Sequence, residues 1–141
     1  MPITTLEAAI AQVRVYALAL TGMRVTTAVP TDSIPVTPAC IVYAGADAWE
    51  TLPGAWKKGL CTILCEIMVP HKNLARDYAA LSPYGELFAN KILANPTLAG
   101  TVNTVVFPIT SEGIIGLGDY GGLPMLGWRI SIPVKLESAI T

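Results

Sequence analysis

Charge is what this chain has least of. Only 13% of its 141 residues are Asp, Glu, Lys or Arg, against 52% that are hydrophobic. Either its surface is poor in charge or part of its apolar surface meets another chain, and the second reading is favoured. Nine Lys and Arg face ten Asp and Glu, for a formal charge of −1. The basic excess of a protein held on phosphates is absent, which argues against tight nucleic-acid binding.

Long hydrophobic runs are missing too, although mean hydropathy is +0.54. The uncharged stretch between Arg14 and Arg24 is far short of the roughly 20 residues a spanning helix needs, so no membrane is expected. The opening "MPITTLEAAIAQ" has no basic segment and carries Glu7 early, unlike a signal peptide, so the expected location is cytoplasmic. The length fits a single domain, 1–141, that buries roughly two-thirds of its unfolded surface.

Metal and nucleophile chemistry have little to work with. There is one histidine, His71, expected to face solvent at a strand end, and the three cysteines form no Cys-x-x-Cys pair. Three cysteines cannot all pair within one chain. Cys61 and Cys65, if they share a strand, lie on one face about 13 Å apart, so reduced core thiols are expected. Cys-His catalysis would need one of the three beside His71, but Cys61 and Cys65 point into the core. The acids Asp32, Asp47, Glu50, Glu66, Asp77, Glu86, Glu112 and Asp119 are scattered, and no catalytic pair stands out. "GIIGLGDYGG" has the glycine spacing of a dinucleotide-binding turn at Gly116, Gly118 and Gly121. The next residues, "GLPMLGWRISIPV", are strand-like and hold Pro124, so no helix N-terminus receives a pyrophosphate. A non-enzyme without cofactor or metal is the expectation.

The chain is rich, by contrast, in element patterning. "TTLEAAIAQVRVYALALTG" predicts a helix with a Thr4–Glu7 capping box and a stop at Gly22. Leu6, Ile10, Val13, Ala17 and Leu20 form its stripe, while Val15 and Leu18 make a second apolar side suited to a neighbouring subunit. Pro30, Pro35 and Pro38 make the next segment an extended arm or connector. "ACIVYAG" predicts a short buried strand. "ADAWETLPGAWKKG" reads as an exposed connection whose Trp49 and Trp56 either cap the core or act as contact anchors.

"LCTILCEIMVP" predicts a strand with Cys61, Ile63, Cys65, Ile67 and Val69 on a core face and Thr62 and Glu66 on a wetter one. Asn73 is a plausible N-cap for the next helical region, and Ser82-Pro83 suggests two short helices or one kinked one. Leu81, Leu87, Phe88, Ile92 and Leu93 form its apolar face. Asn95-Pro96 ends it, Gly100 allows the reversal, and "TVNTVVFPI" starts a strand. "SEGIIGLGDYGGLPMLG" reads as a long hairpin tip presenting Asp119 and Tyr120. "WRISIPVKLES" reads as a half-buried strand in which Pro133 favours an edge or a bulge.

The order helix, Pro-rich connector, strand, loop, strand, helix, "NPTLAGTV", hairpin and C-terminal strand resembles the tail terminator (tail completion) proteins of siphovirus-type phages. It covers essentially the whole chain. The best local match is "LANPTLAGTV", residues 93–102, where Leu93, Asn95, Pro96, Leu98 and Gly100 carry over as structural positions and no catalytic residue does. The resemblance implies an α+β fold, with a largely antiparallel or mixed sheet of about four to five strands and helices packed on one face. It further implies a hexameric ring of identical subunits that caps the tail tube, stops its growth and presents a surface to the head-tail connector. DNA would pass through the lumen without specific binding. Assembly in the host cytoplasm and residence at the head-proximal end of the virion tail are implied by the same resemblance.

Overall fold

The fold comes from a computed structural model that describes residues 5–27, 37–120 and 122–140. Thr4, Pro30, Asp32, Pro35 and Gly121 lie outside them. The elements are α1 (Leu6–Leu18), β1 (Val25–Thr27), β2 (Ala39–Leu52), β3 (Trp56–Pro70), α2 (Leu74–Leu93), β4 (Thr104–Val105), β5 (Thr110–Tyr120) and β6 (Leu123–Ala139). Together they make an α+β fold built on one antiparallel sheet, in the order β1-β2-β3-β6 with only β1 parallel to its neighbour. β4 and β5 lie end to end along the far edge of β6.

α1 starts from Thr5, whose hydroxyl oxygen accepts from the Ala8 amide at 3.1 Å. With the cap on Thr5, Glu7 falls within the first turn and does not close a capping box. Ala9, Val13 and Ala17 are fully buried, and the two alanines let the helix axis approach the sheet closely.

α2 is one helix with Pro83 inside it, which corrects the expectation of a break at Ser82-Pro83. The proline removes one ladder bond, yet Leu81, Tyr84, Phe88 and Ile92 on the same face are buried against the sheet. Packing outweighs the local defect. Leu87 and Leu93, expected on that face, are exposed, and Tyr84 completes the stripe instead. Gly85 lets the helix approach the sheet closely, since a Cβ there would lie 2.7 Å from the Trp128 ring. The Trp128 indole N–H donates to the Leu81 carbonyl at 2.8 Å. Asn73 caps α2 as expected, accepting from the Arg76 amide at 3.0 Å. Asp77 returns the contact by accepting from the Lys72 and Asn73 amides, which holds its carboxyl below the usual range.

A segment expected as an exposed connection and one expected as a hairpin tip are both largely strand. "ADAWETLPGAWKKG" is the outer part of the β2–β3 hairpin, turned only by Pro53, Gly54 and Ala55, with Leu52 opposite Trp56. "SEGIIGLGDYGGLPMLG" is mostly β5 and the start of β6. Gly113 and Gly118 take positive φ at 82° and 92° beside register shifts, so bulges absorb the glycines without ending the strand. "ACIVYAG" is likewise the first half of a 14-residue strand. "TVNTVVFPI", by contrast, gives only the two-residue β4 before the strand is interrupted and pairing resumes with β5.

Pro133 lies in an internal strand, against expectation. The Pro133 carbonyl accepts from Val106 at 2.8 Å, so its nitrogen faces the same side, where β4 and β5 part company. No ladder bond to β3 is lost.

The main core lies between the helices and one sheet face, from Val13 and Phe88 to Cys65, Ile67 and Ile132. A smaller cluster of Ala39, Ile41, Met68, Leu117 and Met125 sits on the opposite face. That second cluster corrects the expectation of a wetter face beside Glu66, which is only 2% exposed.

Candidate assembly surfaces

β2, β3 and β6 continue to the hairpin tip as paired strands, residues 47–52, 56–61 and 134–139; Cys61, Val134 and Leu136 at the inner end still belong to the main core, and beyond them the three strands form an exposed ribbon. Side chains along a strand alternate between faces, so this register sorts the exposed residues. Trp49 is opposite Gly59 and shares the helix-side face with Lys57. Its ring lies flat on the glycine, where a Cβ would come within 2.5 Å of a ring carbon. Its indole N–H donates to Asp47 at 3.1 Å, and the Lys57 ammonium sits 5.3 Å from the ring centroid. Trp56, Lys58 and Leu60 point to the other face, where Lys58 pairs with Glu50 at 3.1 Å.

Neither tryptophan is part of the core. Trp49 is 45% and Trp56 43% exposed, on opposite faces of one ribbon. The structure brings them to the same protrusion without bringing them into contact as a pair.

Val15 and Leu18 stand out of the exposed side of α1 at 58% and 52%, as their position off the stripe requires. Near them an open groove runs between the C-terminal ends of the two helices, lined by Leu20, Thr21, Leu87, Asn90 and Lys91 among others. Leu87 and Leu93 add apolar surface along α2.

The hairpin candidates divide. Asp119 is exposed. Tyr120 folds back over the helix-free face, and its hydroxyl donates to Glu66 Oε1 at 3.2 Å. Arg129 Nε donates to Glu66 Oε2 at 2.7 Å, and Glu112 lies 3.8 Å from the same guanidinium. Burial and the Glu66 charge push the Tyr120 hydroxyl up to about 12 and raise that of Tyr43 as well. The Glu66 hydrogen bond raises Arg129 in turn. Glu66 and Arg129 are directly opposed across β3 and β6, so strand register was the signal that would have paired them. Tyr120 is half-buried and held by the fold, not presented freely at the hairpin tip.

The 93–102 turn is built as a compact corner. Asn95 donates from its side chain to the Lys91 carbonyl at 2.8 Å, and the Pro96 carbonyl accepts from Val105 at 2.7 Å. Leu98, Ala99 and Gly100 all have positive φ, at 48°, 58° and 83°. Leu98 is fully buried, which holds a left-handed conformation that an alanine or leucine takes only at a cost. Leu93 itself is exposed, and Ile92 fills the buried position.

Among the described residues no group of three or more His, Cys, Asp or Glu could hold a metal ion, and no helix is long and apolar enough to cross a membrane. His71 is exposed just beyond β3, with its amide donating to the Pro124 carbonyl at 2.9 Å. No protein-family model matches the chain, and no curated protein matches it significantly.

Proposed function

We propose that this chain is a tail terminator subunit: a structural protein that assembles with copies of itself into a ring, hexameric in the resembled family, on the end of a phage tail tube. The observation that carries the reading is the placement of exposed apolar side chains. They sit on two unlike surfaces, the ribbon with Trp49, Trp56 and Leu60 and the helical side with Val15, Leu18 and Leu87. A closed ring of identical subunits needs two different patches that meet head to tail, and a chain with 13% charged residues has apolar area to bury there. The action is recognition without chemistry. A growing tube end exposes unpaired interfaces; a ring that occupies them removes the template for the next subunit and offers its outer surface to the head connector. The near-neutral charge suits a lumen that passes DNA without trapping it.

The test is electron microscopy of particles from the parent virus or element with this chain deleted. Overlong, headless tubes are the expected result. Tubes of normal length that fail to join heads would assign a joining role elsewhere in the neck, and normal particles would reject a tail function.

A further inference from the structure

The chemistry left unused by the assembly reading lies in the main core. Cys40 Sγ and Cys65 Sγ are 3.2 Å apart, and both residues are fully buried. That is closer than two sulfur atoms sit in ordinary packing, and the thiols share one hydrogen bond. Cys40 is opposite Ile67 and Cys65 opposite Val42, so the two form a diagonal cross-strand pair on the helix-side face of β2 and β3. Cys61 is on the same face but further along the strand, about 13 Å from Cys65, and out of reach.

We propose that Cys40 and Cys65 are a modification site, a dithiol that peroxide converts into a reversible disulfide joining β2 to β3. The sulfurs need to approach by only ~1 Å more to reach bonding distance. The Cys40 sulfur attacks hydrogen peroxide, breaking the O–O bond and giving a sulfenic acid and water. The Cys65 sulfur then attacks the Cys40 sulfur, and the sulfenic oxygen leaves as a second water with the Cys65 proton. Two thiols are oxidised by two electrons and one peroxide is reduced to two waters.

The order is set by position. Cys40 is on the strand whose other neighbour is the three-residue β1, so few ladder bonds must open to admit a small oxidant. Cys65 is on β3, paired on both sides to Val42 and Ile130. Burial and the adjacent Cys40 also hold the Cys65 thiol well above its ordinary value, which disfavours Cys65 as the first sulfur to attack peroxide. A bridge across the diagonal joins backbones farther apart than directly opposed residues, so the two strands shift together slightly as it closes. If the tail reading holds, the pair stays reduced during assembly in a host cytoplasm and closes after release. That timing rests on the proposed function; the bridge does not, and the free chain suffices to test it.

The experiment treats the purified full chain with hydrogen peroxide or dithiothreitol, then alkylates it in denaturant and measures intact mass and peptide maps. The expected peroxide product has one alkylatable thiol in place of three, a mass lower by two hydrogens before alkylation, and a Cys40–Cys65 cross-linked peptide. Dithiothreitol should restore all three thiols. Cys61→Ala should still lose two thiols and Cys40→Ala none. Three alkylatable thiols after peroxide, a cross-link through Cys61, or oxidation to sulfinic acid without a cross-link would each overturn the proposal. The wild-type peptide map decides it even if a variant fails to fold.

Discussion

Cys40 and Val42 on β2, and Cys61, Ile63, Cys65 and Ile67 on β3, are buried beneath the helices, whereas Trp49, further along the same face of β2, stands in the open. Trp56 and Leu60 near the tip are open as well, on the opposite face. The backbone is continuous and the pairing reaches the tip, past one register shift in β2 between Ala44 and Asp47. The difference is the cover, since α1 and α2 reach only the inner half of the strands. Local hydrophobicity therefore does not separate the two regions, and a tryptophan in the ribbon answers to different physics from a cysteine in the body. In the body an apolar side chain holds the subunit together; in the ribbon Trp56 and Leu60 bury little and leave open apolar area.

The largest effect expected is on the body. Phe88 is fully buried between α2 and the sheet, and Phe88→Ala should lower unfolding free energy by about 3–5 kcal/mol. Urea denaturation of the purified chain measures it. A loss below about 1 kcal/mol would show that the helices do not carry the stability assigned to them, and the contrast with the ribbon would disappear.

Next comes the helix-free face. Arg129→Met leaves the buried Glu66 carboxylate with only tyrosine hydroxyls, Tyr120 and Tyr43, beside it, and breaking such a pair costs about 3 kcal/mol where the remaining charge stays buried. Since Arg129 itself is partly exposed, some of that cost is relieved by water. If the same denaturation experiment gave no loss, Glu66 would have to be hydrated, and this face would behave like the ribbon.

Tyr120 gives a smaller effect with a defined sign. Its hydroxyl is raised from 10.0 to about 12 in the folded protein. The folded state therefore favours the protonated phenol, so this stabilisation is complete below pH 10 and is lost as pH rises through about 12. Tyr120→Phe should flatten the decline in stability across that interval. An unchanged alkaline profile would detach Tyr120 from Glu66 and return it to the exposed contacts.

How much of this was legible in the sequence depends on the range of the signal. The α1 stripe, the Asn73 cap and the core-facing set Cys61, Ile63, Cys65, Ile67 and Val69 are set by near neighbours, and the structure agrees with them, whereas the burial of Glu66 and Met68 on the other face was not legible. The ribbon was hidden because Pro53-Gly54 is the same punctuation whether it joins two strands in an exposed loop or turns a long hairpin. The Gly-rich segment was hidden because glycines that would end an unsupported strand are absorbed by bulges against β6. Pro83 suggested a break that the tertiary packing of α2 overrides. For the candidate surfaces, Val15 and Leu18 could be read from helical phase alone. Glu66 with Arg129, and Cys40 with Cys65, depend on which residues register places opposite one another across strands, and no local pattern carries that.

The smallest expected change in stability is the sharpest test of the comparison, because it asks the two tryptophans to behave differently. Trp49 covers Gly59 and interacts with Lys57 and Asp47, so Trp49→Ala uncovers backbone and should cost about 1 kcal/mol. Trp56 stands on the opposite face, and Trp56→Ala should leave the free chain within about 0.5 kcal/mol of the parent, as surface substitutions do. If Trp56 anchors a neighbouring subunit or the tube, the same change should weaken assembly by at least about 30-fold, the scale of an interface hot spot. Denaturation of the free chain and electron microscopy of tube-capped particles read the two quantities separately. A Trp56→Ala chain that unfolds easily would make the tip part of the fold, while one that is both stable and fully competent to assemble would move the contact to the helical side, where Val15 and Leu18 remain.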